Sequence, residues 1–194
     1  MRPMWVLEEL GLDYKLVNME FPARATYPGY LDINPLGTVP TFLDGDLTLT
    51  ESTGICKYLV DRYGAGKLAI AIDEPDYGRY LDWLFRSDAT LTFPQTLVLR
   101  YTRLEPEERR LPQVVEDYSI WFHARLRYLE TTLKDGRNYL VGDRFTIADI
   151  AVHYALHLAT RVGLDGRFKP NTRRFYQYHL ERESFKKVLD KQMV

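Results

Sequence analysis

The stretch Asn34–Ser52, which reads NPLGTVPTFLDGDLTLTES, decides the fold of the first part of this chain. Its opening Asn-Pro pair and Gly37 are turn residues, because proline fixes φ and glycine permits positive φ. Asp44-Gly45 lies between two apolar runs and is a hairpin signal. The stretch therefore predicts that Val39–Leu43 and Leu47–Thr50 pair as antiparallel strands.

Two features of this stretch indicate a ligand. A cis bond between Val39 and Pro40, at the start of a strand, would leave the backbone of Val39 free to pair with an extended peptide-like molecule. Glu51 and Ser52 then open a helix, whose N-terminal amides and positive dipole end form an anion site. Ser52 adds a hydroxyl for a carboxylate, and Glu51 can accept from an ammonium group. We therefore predict a ligand that has an α-amino and an α-carboxylate group at one end and a peptide bond near Val39.

The simpler interpretation is that Glu51 and Ser52 only cap the helix. The order and spacing of the Val-Pro pair, the hairpin and the Glu-Ser pair favour a ligand site instead. This combination resembles the glutathione-binding half-site of the soluble glutathione S-transferase superfamily. The resemblance implies that Val39 binds the cysteinyl backbone of glutathione beside Pro40, and that Glu51 and Ser52 hold its γ-glutamyl end. Thr38 stands where the family commonly has Lys, which implies the loss of one charge-assisted contact.

Residues 1–11 resemble the first helix of the same family, which often reads S-x-R-x-x-W-x-L-E-E-L-G. The residues in register are Arg2, Trp5, Leu7, Glu8, Glu9, Leu10 and Gly11. In the family, a Ser, Tyr or Cys ahead of this helix activates the thiol of glutathione, and that position falls immediately before Met1. The catalytic residue is therefore unknown, and Arg2 is a candidate auxiliary that adds positive charge near the sulfur. We hypothesise that the start is internal or mis-assigned, or that the chain is truncated, and we expect weak or absent conjugation without that residue.

The sequence also indicates how the chain is divided. Tyr14–Met19 has apolar residues on both faces and is predicted to be a buried strand. The helix before it is the second half of a βαβ unit whose first strand is absent. The resemblance implies an α/β plus all-α fold, with a thioredoxin-like N-terminal domain that lacks its first strand and an all-helical C-terminal domain. The expected limits are 1–64 for the first domain, 65–74 for a linker and 75–194 for the helical domain.

The second half of the chain has helical periodicity. A helix is predicted over Tyr77–Arg103, with Pro94 expected to kink or divide it. Gly11 and Leu12 suit a Schellman motif at the end of the first helix. The run FTIAD, with Thr146 and Asp149, approximates a capping box and predicts a helix start. In the family a helix with this cap crosses the core of the C-terminal domain, so we interpret it as a folding element.

The resemblance extends to the substrates. It implies that Trp83, Arg86 and Phe93 line a pocket for a hydrophobic electrophile, although aromatic residues at helical spacing more commonly form a core. The expected function is transfer of glutathione to an electrophilic small molecule, as in detoxification, or use of glutathione as a reductant. A homodimer is expected. The alternative is a non-catalytic module of the same fold that serves protein interaction.

Composition limits the remaining possibilities. The 194 residues carry a net charge of −1 with scattered basic residues, so neither nucleic acid nor a membrane is an expected partner. The lone Cys56 fits a reducing compartment and a buried structural thiol. His153 and His157 have the spacing of two metal ligands, but no acid lies between them and no third ligand is implied, so no metal is expected. With no apolar span of about 18 residues and no secretory leader, the expected location is cytoplasmic.

Overall fold

The computed structural model describes residues 1–20 and 22–192. It forms two compact units, one of Met1–Lys67 with Glu183–Val194 and the other of Leu68–Arg182. The division after Lys67 falls inside the expected linker. The end of the chain differs from the expected 75–194 domain, because the last helix packs against the first helix.

The first unit combines a hairpin with helices of different lengths. Its elements are α1 (Arg2–Leu10), α2 (Ala23–Thr26), α3 (Tyr30–Ile33), β1 (Phe42–Asp44), β2 (Leu47–Leu49), α4 (Ser52–Tyr63) and, from the end of the chain, α10 (Glu183–Gln192). Helix α1 ends at Gly11, whose φ is 67°. The amides of Gly11 and Leu12 donate to the carbonyls of Glu8 and Leu7 at 3.2 and 3.0 Å, which confirms the predicted Schellman motif.

The predicted antiparallel pairing is confirmed, but the strands are Phe42–Asp44 and Leu47–Leu49, shorter than predicted, and the turn is Gly45-Asp46. Strands β1 and β2 pair antiparallel, and their outermost pair is Phe42 opposite Leu49. Asp44, at the turn, accepts a hydrogen bond from the Tyr58 hydroxyl of α4 at 2.9 Å. The Tyr63 hydroxyl donates to the same carboxylate. Because both tyrosines belong to α4, these bonds hold the hairpin turn against the helix that follows it.

The predicted strand at Tyr14–Met19 is wrong. Among the residues that the structure describes, the sheet contains only β1 and β2, and residues 12–20 form an irregular segment. Exposure alternates along this segment, and Val17 is half exposed, so its apolar residues are not covered on both faces. A strand buried on both faces needs a neighbouring strand to accept and donate its ladder bonds. The first strand of the βαβ unit, which would provide that neighbour, is not among the described residues.

Helices α1, α4 and α10 supply much of the core of the first unit. Trp5 of α1 is buried, and its ring centroid lies 4.6 Å from that of Phe185 in α10. The indole Nε1 of Trp5 donates to Ser184 Oγ at 2.9 Å. On α4, Ile55 and Leu59 are buried in the same core. Burial of side chains of this size contributes about 1.5–3 kcal/mol each, so α10 adds to the stability of α1.

The regular secondary structure described in the second unit is helical, with no strand. Its α-helices are α5 (Tyr77–Arg86), α6 (Phe93–Leu99), α7 (Pro112–Thr132), α8 (Ile147–Arg161) and α9 (Pro170–Leu180). Two π-helical segments, Ser87–Thr92 and Arg100–Leu104, follow α5 and α6. Short 3-10 turns occur at Glu107–Arg109, Leu133–Asp135 and Asp165–Arg167. Across the described part of the chain, no helix has the length and apolar character needed to cross a membrane.

The structure shows how Pro94 divides the predicted Tyr77–Arg103 helix. The chain turns into π-helix at Ser87, and the amide of Phe93 donates to the carbonyl of Asp88, five residues earlier. Pro94 then lies in the first turn of α6, where a missing backbone donor is tolerated. The division predicted from Pro94 is therefore confirmed, but wider helical turns replace a sharp break.

The predicted capping box is also confirmed. Thr146 precedes α8, and its hydroxyl accepts from the amide of Ala148 at 3.2 Å. The Asp149 carboxylate accepts from the amides of Thr146 and Leu140, both at 2.8 Å. Asp149 is fully buried, and this burial raises its pKa to about 7, while the amide and hydroxyl donors around it act in the opposite direction. Helix α8 therefore begins at a satisfied buried cap.

Candidate functional site

The hairpin brings the two segments of the predicted site, Val39-Pro40 and Glu51-Ser52, to its open end. Phe42 and Leu49 form the last ladder pair at the open end of the hairpin. Two residues beyond this pair on each strand lie Pro40 and Glu51. Because antiparallel strands run alongside each other, the segments that carry Pro40 and Glu51 leave the ladder at the same end. The hairpin between Pro40 and Glu51 therefore brings these two segments together.

The loop before β1 is fixed by two buried polar side chains. The Nδ2 of Asn34 donates to the carbonyl of Thr38 at 2.9 Å and to Thr41 Oγ1 at 3.1 Å. The hydroxyl of Tyr30, a buried residue of α3, lies 2.5 Å from the Thr38 carbonyl and 2.7 Å from Thr41 Oγ1. Sequence reasoning identified Asn34 only as a turn residue and missed Tyr30, because nothing in the local pattern shows which polar side chains face inward.

Val39 and Pro40 follow this fixed loop. The peptide bond between them is cis, as predicted. The side chain of Val39 is half exposed, and Thr38 is exposed beside it. The loop thus presents Thr38 and Val39 at the surface, while Asn34 below them is buried.

Helix α4 begins without the side-chain cap that the simpler interpretation requires. Glu51 is the residue before the helix, and within the described part of the chain its side chain makes no capping hydrogen bond. The Glu51 side chain is exposed, and Ser52 is half buried at the first helical position. The N-terminal amides of an α-helix lack intrahelical acceptors. Glu51 and Ser52 therefore stand beside the positive end of a 12-residue helix, and the Ser52 hydroxyl makes a contact outside that helix.

Arg2 of α1 contacts the hydroxyl of Ser52. Arg2 is buried, with 3% of the residue exposed, and its Nη1 donates to Ser52 Oγ at 2.9 Å. The sequence interpretation had placed this charge near the sulfur of the ligand. The structure places it against the serine that was assigned to the opposite, γ-glutamyl end. Helices α1 and α4 pack together, which brings residues 50 positions apart in the sequence into contact.

The residues assigned to the electrophile pocket lie in the second unit and differ in their surroundings. Trp83 is buried and stacks on Tyr128, with ring centroids 5.0 Å apart. The Arg86 guanidinium lies 4.6 Å from the centre of the Tyr128 ring and forms an ion pair with Asp82 at 2.8 Å. Phe93 is half exposed. Trp83 therefore belongs to the core in this structure, while Arg86 and Phe93 remain closer to the surface.

Cys56 and the two spaced histidines have structural surroundings. Cys56, the one cysteine of the sequence, has a buried thiol in α4. His153 is buried with its ring stacked on Tyr176 at 5.0 Å, and His157 Nδ1 lies 3.2 Å from the Tyr176 hydroxyl. Burial lowers the pKa of His153 well below its usual value and also lowers the pKa of His157. Among the described residues, no cluster of three or more His, Cys, Asp or Glu could hold a metal ion.

Comparison with known families and proteins identifies this arrangement. The family model described as "Glutathione S-transferase, N-terminal domain" matches residues 1–61, and the one described as "Glutathione S-transferase, C-terminal domain" matches residues 114–179. "Glutathione S-transferase GstB" of Escherichia coli (strain K12) is 31% identical over 191 residues, which cover 94% of this chain and 88% of that protein. The chain belongs to the glutathione S-transferase family.

Two further relatives define the extent of the similarity. "Glutathione S-transferase 2" of Schizosaccharomyces pombe (strain 972 / ATCC 24843) is 32% identical over 152 residues, which cover 75% of this chain. The chain spans 64% of the length of that relative. The crystal structure of glutathione transferase URE2P6 from Phanerochaete chrysosporium, in complex with oxidized glutathione, has a TM-score of 0.86 at 26% identity and covers 99% of this chain and 90% of that one. The fold, a thioredoxin-like domain followed by an all-helical domain, is confirmed.

Proposed function

We propose that this protein binds glutathione at the open end of its hairpin and transfers it to an electrophilic small molecule, or uses it as a reductant. The observation that carries the proposal is the register of β1 and β2. It directs the Val39-Pro40 segment and the Glu51-Ser52 segment to the same end of the hairpin. The E. coli and S. pombe relatives are named glutathione S-transferases, and URE2P6 was crystallised with oxidized glutathione, which supports the choice of ligand.

In the proposed complex, each group of glutathione meets a group of matching chemistry. The α-carboxylate of the γ-glutamyl end lies at the start of α4, where it accepts from Ser52 Oγ and from backbone amides. Its ammonium group pairs with the exposed carboxylate of Glu51. The cysteinyl backbone pairs with the backbone of Val39, next to Pro40 and Thr38. This arrangement leaves the thiol on the side of α1.

The proposed transfer requires the thiolate. A free thiol has a pKa of about 8.5 and is mostly protonated at neutral pH. The thiolate sulfur attacks the electrophilic carbon, a sulfur-carbon bond forms, and the leaving group departs with the bonding electron pair. The positive end of α1 favours the thiolate. We assign no residue of 1–194 as the group that activates the thiol.

The proposal includes a substrate class, an assembly and a location. The electrophile is hydrophobic, and the candidate contacts to it are Arg86 and Phe93, with Trp83 supporting Arg86 from the core. We further propose a homodimer that acts in the cytoplasm in detoxification. The oligomeric state can be measured directly by light scattering coupled to size-exclusion chromatography. A strictly monomeric protein over a wide concentration range would contradict the dimer.

Retention on immobilised glutathione tests the site. We expect the unaltered protein to be retained, and Glu51→Ala and Ser52→Ala each to weaken binding roughly 10-fold to 100-fold. The reason is that a hydrogen bond to a charged group contributes about 1.5–3 kcal/mol. Asp46→Ala is the matched control, because Asp46 is an exposed residue of the same hairpin at its turn end. Equal retention of all four proteins would remove the assigned residues from the site.

Turnover separates an enzyme from a binding module of the same fold. Conjugation of glutathione to 1-chloro-2,4-dinitrobenzene is followed by absorbance, and reduction by consumption of glutathione. Turnover that Ser52→Ala reduces, while Asp46→Ala does not, supports a transferase or reductase. Glutathione binding without turnover, together with a stable protein partner, would support the non-catalytic alternative.

A further inference from the structure

The contact between Arg2 and Ser52 has a consequence for the direction of the serine hydroxyl. An arginine side chain only donates hydrogen bonds, whereas a hydroxyl has one donor and two acceptor lone pairs. At an Nη1 to Oγ distance of 2.9 Å, Ser52 is therefore the acceptor. One lone pair of Ser52 is thereby occupied by Arg2, and its hydrogen remains available to a different acceptor.

Arg2 is held firmly in this position. Only 3% of Arg2 is exposed, so the guanidinium has little freedom to leave Ser52. It lies in the first turn of α1, and the packing of α1 on α4 brings it to the start of α4. Ser52 is itself the first residue of α4, where the helix dipole is positive. A buried cation and a helix N-terminus thus meet at one hydroxyl, which is an environment that favours an anion.

We propose that Arg2 is a positioning residue for the carboxylate of the γ-glutamyl end of the ligand. Arg2 fixes the rotation of the Ser52 hydroxyl so that its hydrogen is directed to that carboxylate, and it adds a buried positive charge beside the site. This inference rests on the proposed function. It assigns Arg2 to the recognition of the glutamyl carboxylate rather than to activation of the thiol.

Two ligands separate this role from a merely structural one. The first is glutathione, and the second is the peptide 4-aminobutyryl-Cys-Gly, which keeps the amine, the thiol and the peptide bonds but lacks the glutamyl carboxylate. Dissociation constants of both are measured by calorimetry with the full chain. We expect the unaltered protein to prefer glutathione at least 10-fold. Arg2→Met should lose most of this preference by weakening glutathione binding about 10-fold to 100-fold, with less than a 3-fold effect on the analogue.

Three further variants sharpen the test. Arg2→Lys should recover part of the preference, because an ammonium group also donates to Ser52 but has no second nitrogen to fix its direction. The double variant Arg2→Met with Ser52→Ala should lose less affinity for glutathione than the two single losses combined, because part of the effect of Arg2 acts through Ser52. Arg62→Met is the matched control, since it removes the same charge at the exposed, opposite end of α4. It should leave the preference unchanged.

The outcomes are distinct. A preference that Arg2→Met and Arg2→Lys leave unchanged overturns the inference, and so does an equal loss of affinity for both ligands, which is the result of a structural role. If Arg2→Met does not fold by circular dichroism, Arg2→Lys and Arg2→Gln decide the question by the same ratio. Failure of the unaltered protein to bind glutathione would overturn the proposed function itself, and the inference with it.

Discussion

The buried cap of α8 allows a quantitative prediction. Replacing Asp149 by Ala removes the carboxylate that accepts from the amides of Leu140 and Thr146, each at 2.8 Å, and from the Thr146 hydroxyl at 3.1 Å. Asp149 is fully buried, so water cannot readily replace the lost acceptor. Two backbone amides are then left without the acceptor that the folded structure provides.

The magnitude follows from these two amides. Leaving a buried donor without a partner costs about 1–3 kcal/mol, so the pair sets a range of about 2–6 kcal/mol. Burial raises the pKa of Asp149 to about 7, and a protonated carboxyl accepts hydrogen bonds more weakly than a carboxylate. We therefore expect Asp149→Ala to lower the free energy of unfolding by about 3 kcal/mol. Asp149→Asn keeps one carbonyl oxygen and should lose about half as much.

Urea unfolding at pH 7, followed by circular dichroism, measures these differences. The slope of the unfolding free energy against urea should stay unchanged, because the variants alter stability and not the surface exposed on unfolding. Asp117→Ala is the control, since Asp117 is an exposed acid on α7 and its replacement should change stability by less than about 0.5 kcal/mol. A loss below about 1 kcal/mol for Asp149→Ala would refute the assignment of Asp149 as the acceptor on which the start of α8 depends.

Three other predictions concern single side chains. Burial lowers the pKa of His153 well below 6.5. The contribution of neutral His153 to the free energy of unfolding is therefore complete above pH 6.5 and is lost as the pH falls. Between pH 6.5 and 5, the free energy of unfolding measured in urea should therefore fall more steeply for the unaltered protein than for His153→Phe. The difference in slope should be up to about 1.4 kcal/mol per pH unit. Cys56, which is buried, should react with an aromatic disulfide reagent at least ~100-fold more slowly in the native state than in urea, as measured by absorbance. Tyr30→Phe removes a donor to the Thr38 carbonyl and should weaken glutathione binding about 3-fold to 10-fold by calorimetry, with the circular dichroism spectrum unchanged.

Features with short-range causes could be predicted from the sequence. The turn at Gly45-Asp46, one residue beyond the predicted Asp44-Gly45 pair, and its apolar flanks specify the hairpin, because a two-residue turn fixes which residues face each other. The end of α1 at Gly11 and the cap formed by Thr146 and Asp149 also depend on residues within five positions of one another. In each case, the chemistry that determines the structure is contained in a single short segment.

Features with long-range causes could not be predicted in this way. Tyr14–Met19 has the composition of a strand, but a strand also needs a neighbour, and composition does not show whether one is present. The pairing of Arg2 with Ser52 joins residues 50 positions apart, and the packing of Trp5 beside Ser184 joins residues 179 positions apart. The periodicity of α10 indicates an amphipathic helix without indicating which unit it covers.

The last helix of the chain contributes to the site formed by the first 52 residues. Trp5 donates to Ser184 Oγ at 2.9 Å and contacts Phe185, and Ser184 in turn donates to Glu9. These contacts fix α1 against α10 along the same helix that carries Arg2 at its start. The direction of the Ser52 hydroxyl depends on where α1 places Arg2. The first unit therefore positions its polar groups through a continuous set of contacts from α10 to α1 to α4, and the short segments recognisable in the sequence depend on it for their geometry.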